Sequence, residues 1–434
     1  MVEMQKKDAI KSIRQLLKNG FFHITGSNVI NKVIAVITNI LITRTLGKQG
    51  YGVFSTAYNV YSIFVIFSGL GMYSAILLYC SEKRSDNEKR AYYIYGLRAG
   101  FAASILLSVG MALYAFFVPL GIPEIRTYIL LLCLLPLVDY VMQYVLIILR
   151  TQQENKKYAL LLNINSIAYL VLGYMGAYFG GISGTILGSY FSYFVVILIS
   201  IPSVIPFMKS KTDINFCLGK KEKRALWGYS LKNGGSCALN QILYLIDVAL
   251  IAALVKDAKI VASYKVAVTI PEGISFIPMS IMVYLLPFFA QHNNDRQWLS
   301  SKIKKLFFLT GILNAVISVT LCVGAPYIIS ILWGKEYLDG VFCFRILSIN
   351  YFVLGTFRMT CTNVLATLHK VDFNLILGIV SGVLDIILDV VLIQRYGAVG
   401  AAFATLICVC FISIFSVPYL LRTIRNIGVD KDVS

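Results

Sequence analysis

The sequence predicts an all-α polytopic membrane protein, with about twelve transmembrane helices in two six-helix bundles around a central cavity. Three observations carry this. Of 434 residues, 58% are hydrophobic and 14% charged, and the mean hydropathy is +0.76, against about 45–50% apolar and about 25% charged in a soluble domain. The apolar residues gather into runs of roughly 20 or more, with connections too short to hold a soluble domain. A basic stretch from Phe207 to Gly228, carrying Lys209, Lys211, Lys220, Lys221, Lys223 and Arg224, divides six runs from six. A water-soluble enzyme is excluded. The net charge of +18 fits basic cytoplasmic loops, so nucleic acid is not an expected partner.

In chain order, Lys6, Lys7, Arg14 and Lys18 form a basic arm with no small-residue cleavage site after it, and the arm is expected to stay on the mature chain. Spans follow near 21–43, 53–79, 94–118, 127–149, 160–179 and 184–206, completing an N-terminal bundle over 1–206. After the linker at 207–228, spans near 229–254, 268–289, 306–332, 341–367, 373–393 and 398–421 make a C-terminal bundle over 229–434. Pro271, Pro278 and Pro287 predict a kinked eighth span. The nine cysteines contain no CxxC, and Cys408 and Cys410 point about 200° apart on a helix, so no metal, disulfide or cofactor is expected.

An even number of spans puts both termini on one side. With that side cytoplasmic, 26 Lys and Arg fall in inside loops and eight outside, the remaining five being Lys32, Arg98, Lys232, Arg345 and Arg358 within spans. A weak internal repeat relates Tyr58-Asn59-Val60 to Tyr264-Lys265-Val266, about 206 residues on. Two halves with even span counts would be related by an axis along the membrane normal, a transporter arrangement.

The first span carries Asn28, Lys32, Asn39, Thr25 and Thr43 within about 60° of arc. Lipid would make such a stripe costly, so it faces a water-filled cavity or a polar seam with another helix. By depth, Lys32 is near mid-membrane, Arg98 and Lys232 in the inner quarter and Arg358 in the inner half. Asp139 and Asp385 lie near the middle, Asp247 and Asp389 in the outer half, and Glu272 at the outer end. Snorkelling accounts for Arg98, Lys232 and Arg345 but poorly for Lys32 and Arg358. Arg345 and Arg358 stand about 220° apart on an unbroken helix, and Arg358 is the one favoured for the cavity. Asp385 and Asp389, four apart, share a face and repel unless a proton or a cation such as sodium sits between them, or each is satisfied by a neighbouring helix. Asp247 reads as a lone acid with a structural or an ion-coupling role. No Walker A glycine-lysine motif or phosphate loop is present, which excludes an intrinsic ATPase.

Four stretches stand out in order along the chain: Arg44-Thr45-Leu46-Gly47-Lys48-Gln49-Gly50-Tyr51-Gly52-Val53-Phe54-Ser55; Tyr244-Leu245-Ile246-Asp247 with Ala262-Ser263-Tyr264-Lys265; Gly324-Ala325-Pro326 through Trp333-Gly334-Lys335-Glu336-Tyr337 and Phe344-Arg345-Ile346-Leu347; and Gln394-Arg395-Tyr396-Gly397-Ala398-Val399-Gly400-Ala401-Ala402. Together they resemble the polysaccharide repeat-unit flippases of the Wzx type, in the multidrug/oligosaccharidyl-lipid/polysaccharide exporter superfamily. Two departures stand out: Lys256–Val261 lacks the glycine usual before the eighth span, and Asp385 replaces a residue often neutral in relatives.

The resemblance implies translocation of undecaprenyl-pyrophosphate-linked oligosaccharide from the inner to the outer leaflet of a bacterial cytoplasmic membrane. It also implies membrane lipids and the polysaccharide polymerase and chain-length machinery as partners. The residues fit: a pyrophosphate entering from the inner leaflet would meet Arg98, Lys232, Arg358 and then Lys32, with Asn28 and Asn39 lining the path. Asp385, Asp389, Asp247 and Asp139 are the candidates for coupling to sodium or protons. The rival readings are a cation-coupled multidrug exporter of the same superfamily and a membrane glycan polymerase or acyltransferase.

Overall fold

The computed structural model describes residues 21–208 and 218–427. The basic arm, the Lys209 and Lys211 part of the linker, and the tail after Ile427 lie outside these, as does the side chain of Thr25. Every regular element among the described residues is helical. The chain divides into two compact units, Met1–Leu245 and Ile246–Ser434.

The first unit contains α1 (Phe21–Val65), α2 (Met72–Ser81), α3 (Asp86–Phe117), α4 (Ile125–Leu132), α5 (Leu135–Thr151) and α6 (Asn155–Met208). It also holds most of α7 (Lys220–Leu254). At about 1.5 Å per residue, the 54 residues of α6 would stretch to more than twice the ~30 Å hydrocarbon thickness. The helix instead reverses at Gly181, whose φ of 57° and ψ of −137° are accessible to glycine and strained for any other residue. Its two arms press backbone to backbone, since a Cβ on Gly176 would collide with the carbonyl of Gly184. In α1 the break falls at Gly47. There Asn39 Nδ2 donates to Tyr51 Oη at 2.6 Å, although twelve residues of straight helix would hold them about 18 Å apart. Both long elements are therefore helical hairpins.

The second unit contains α8 (Ala258–Gly273), α9 (Phe276–Gln291), α10 (Arg296–Leu332), α11 (Val341–Val353), α12 (Met359–Thr367), α13 (Val371–Tyr396) and α14 (Ala398–Asn426). The turn between α13 and α14 at Gly397, φ 59° and ψ −137°, nearly repeats that at Gly181. Gly400 meets the carbonyl of Leu392 as Gly184 meets that of Gly176.

Nine helical stretches among the described residues are long and apolar enough to cross a membrane. Their surfaces carry large apolar side chains such as Leu106, Phe117 and Phe179 at 72%, 79% and 79% exposure, which water would penalise and lipid does not. Each unit has its own core. Met72, Ile76, Tyr92, Tyr140 and Tyr144 centre the first; Met282, Phe289, Leu299, Ile303 and Leu420 centre the second.

Three spans differ from the sequence reading. The fourth breaks between α4 and α5, where Pro136 has no amide N–H to donate to the Leu132 carbonyl one turn back. The tenth carries a π-helical turn at Leu354–Arg358. The eighth begins at Ala258, ten residues before the expected 268, because Asp257 caps α8 by accepting from the Lys259 amide at 2.8 Å; its expected kink is the break between α8 and α9. This last shift moves Lys265 out of the outside loop and into a half-buried helical position. It also moves Glu272 from the outer end to the interior of the Ala258–Gln291 stretch.

Candidate functional site

The site is built in the second unit, where α7, α13 and α14 bring their polar residues together. The four-residue spacing of Asp385 and Asp389 stacks them on one face of α13. Asp247, two turns before the end of α7, joins them: one carboxylate oxygen from each of Asp247, Asp385 and Asp389 lies within 4.8 Å of the others. Asp247 is thus not a lone acid. Its Oδ2 accepts from Tyr264 Oη at 2.6 Å and from Thr405 Oγ1 at 3.2 Å.

Asp389 is fully buried, and neither of its oxygens has a hydrogen-bond partner; Oδ1 of Asp385 has none either. No Lys or Arg nitrogen among the described residues comes within 4 Å of any of the three acids. Three carboxylates so close, with two neutral donors between them, cannot all stay charged without a proton or a bound cation. Carboxylate and hydroxyl oxygens are the ligands that hard cations prefer.

The remaining sequence candidates are spread more widely. Asp139 stands apart in the first unit, buried beside Gln143 and Tyr193. Lys32, Arg98 and Lys232 are exposed on α1, α3 and α7. Arg358, half-buried, closes the π turn, while Arg345 turns outward and donates from Nε to the Cys322 carbonyl at 3.1 Å.

The polar stripe of the first span divides. Asn28 and Lys32 are exposed, whereas Asn39 braces the Gly47 hairpin through Tyr51 and Thr43 is buried. A neighbouring face, not singled out from sequence, makes a seam with α6: Ser27 Oγ donates to Asn163 Oδ1 at 2.6 Å and lies 3.1 Å from the Ala159 carbonyl. Beside it lies a cavity of about 190 Å³ lined by Thr38, Tyr58, Asn165, Tyr169 and Tyr193.

Sequence reasoning missed Lys265, Tyr264 and Thr405. The Asp257 cap was the available signal for the first two, because moving the span start to it turns both into membrane residues. Thr405, in an apolar run of α14, gave none.

Helical hairpins, two compact units and ionisable residues held within apolar helices define a polytopic membrane protein. A family model described as "Polysaccharide biosynthesis protein" matches residues 16–293, and the chain belongs to that family. Among solved structures, the fold resembles an inward-facing multidrug resistance MATE family transporter of the MOP superfamily, with TM-score 0.70, 14% identity, and 92% of this chain and 95% of that one covered. It also resembles the lipid II flippase MurJ in an inward closed conformation, with TM-score 0.69, 15% identity, and coverage of 94% and 90%. A third likeness is a MOP superfamily transporter from Pyrococcus furiosus, described as having a binding pocket of reverse polarity, with TM-score 0.58, 13% identity, and coverage of 93% and 95%. No curated protein sequence matches.

Proposed function

We propose that the chain is a flippase that moves undecaprenyl-pyrophosphate-linked oligosaccharide repeat units across the bacterial cytoplasmic membrane by alternating access through a cationic cavity. In this reading bundles at 1–206 and 229–434 are joined by the linker at 207–228, and both termini are cytoplasmic. Counting the α1 and α6 hairpins twice, and α7 once, supports twelve crossings. The observation that carries the substrate is Lys32, an exposed cation without an ion-pair partner among the described residues, on an apolar helix of a polysaccharide-biosynthesis family member. A pyrophosphate offers it the charge-assisted hydrogen bonds that lipid cannot. Arg98, Lys232 and Arg358 supply further positive charge, and Asn28 a neutral donor for sugar. The Asp247–Asp385–Asp389 cluster binds the coupling cation, sodium or a proton. Polymerase and chain-length proteins would receive the product.

The acidic cluster also suits a cation-coupled multidrug exporter, whose drugs would need carboxylates. Asp389, however, is wholly enclosed, a setting for a small ion rather than a drug. In cells lacking the chromosomal copy, Lys32→Ala and Arg358→Ala should each abolish surface polysaccharide at unchanged protein level, with Lys32→Arg partly active. Normal export by both alanine variants, or drug resistance conferred by the wild type, would favour the exporter.

A further inference from the structure

A second cavity, of about 320 Å³, opens at the end of the second unit where the α9–α10 loop, the α12–α13 loop and the last turns of α14 meet. Its lining includes Asn293, Asn294, His369, Lys370, Arg422 and Asn426, and no carboxylate. Lys370 and Arg422 are exposed, and neither is ion-paired among the described residues. The nearest acids in sequence are placed elsewhere: Asp295 accepts from the Trp298 amide at 2.9 Å, and Asp372 sits in the first turn of α13 outside the lining. Stacked Phe373 and Tyr419, 3.7 Å between ring centroids, brace the two helices beneath. Leading away from Lys370 along α13, Val371, Leu375, Ile376 and Ile379 are 56%, 60%, 62% and 56% exposed. Their spacing makes a continuous apolar stripe.

An acceptor-rich anion complements a lining of ammonium, guanidinium and amide donors, and a phosphate group suits both its size and its charge. The adjoining stripe faces the bilayer, which puts the acyl chain of a lipid, and not a soluble anion, within reach of both the cavity and the stripe. We infer that this cavity binds the phosphate headgroup of an anionic membrane lipid, with one acyl chain along the Val371–Ile379 face. Basic pockets between membrane helices favour such headgroups, each cation near the surface contributing about fivefold in affinity. The inference goes beyond the proposed transport activity and does not rest on it.

Native mass spectrometry of the full chain, purified in detergent and titrated with phosphatidylglycerol or phosphatidylcholine, tests it. Wild type should retain phosphatidylglycerol preferentially. The double variant Lys370→Ala/Arg422→Ala should bind it roughly thirtyfold more weakly, from two cations, and Lys370→Arg/Arg422→Lys should recover most of the affinity. Equal binding of the two lipids by wild type, or unchanged affinity in the double alanine variant, overturns the inference. Two other outcomes do the same. Displacement of the lipid by equimolar inorganic phosphate would make the site one for a soluble anion. Lipid binding only after removal of residues 428–434, which carry Asp430 and Asp432, would make the tail the occupant. Unchanged unfolding temperatures serve as the control for folding.

Discussion

At the residue scale, the strongest physical tension is Asp389, fully buried with both oxygens unpartnered and two more carboxylates beside it. Burying a charge without a partner costs several kcal/mol, so neutralising this one should stabilise the fold. Asp389→Asn is expected to raise the unfolding temperature measured in ion-free detergent, and to abolish the rise of a few degrees that sodium or lower pH gives the wild type by binding the native state. A variant that responds to sodium and pH as wild type does would show that the cluster binds neither. The acid pair on α13 was legible in the sequence because four-residue spacing fixes a shared face. The third member was not, because α7 and α13 are far apart in sequence and only packing brings Asp247 to them.

At the scale of elements, the matched turns at Gly181 and Gly397 carry the two tightest hairpins. Alanine at either should cost about 1–3 kcal/mol, because the backbone there lies outside the regions an L residue occupies readily. The corresponding outcome is a lower unfolding temperature for each variant. Lys256 gives the opposite case: it holds φ at 58° without being glycine, just before α8, where the usual glycine is missing. Lys256→Gly should therefore stabilise by up to about 1 kcal/mol, and a lower unfolding temperature for that variant would contradict this account of the turn. Long apolar runs and their glycine punctuation made most helices readable from sequence. The start of α8 was misread because hydropathy places Lys265 in a loop, whereas the cap at Asp257 and the protein around Lys265 let a charged residue stand within the helix. The π turn at Leu354–Arg358 was unreadable, since no proline pattern demands it; it sits in a closely packed place, where Asn314 Nδ2 donates to Thr356 Oγ1 at 3.1 Å and a Cβ on Gly355 would stand 3.0 Å from Pro278.

At the scale of the whole molecule, orientation rests on charge. The proposed topology assigns 26 Lys and Arg to inside loops against eight outside, and moving Lys265 into α8 does not lessen that excess. Single cysteines at Lys48, Lys256 and Lys335 in a cysteine-free background should label from outside, and one at Lys220 should not; external labelling at position 220 would reverse the topology. The central claim joins the two kinds of charge, cations that draw in a pyrophosphate and an acidic cluster whose cation occupancy drives the cycle. Its most direct test is transport of a lipid-linked oligosaccharide in vesicles containing the purified chain, with sodium and proton gradients imposed separately. Wild type should flip the lipid faster under one of the gradients, and Asp385→Asn/Asp389→Asn should retain its fold but lose that acceleration. A folded double variant that responds to both gradients like wild type would contradict the claim.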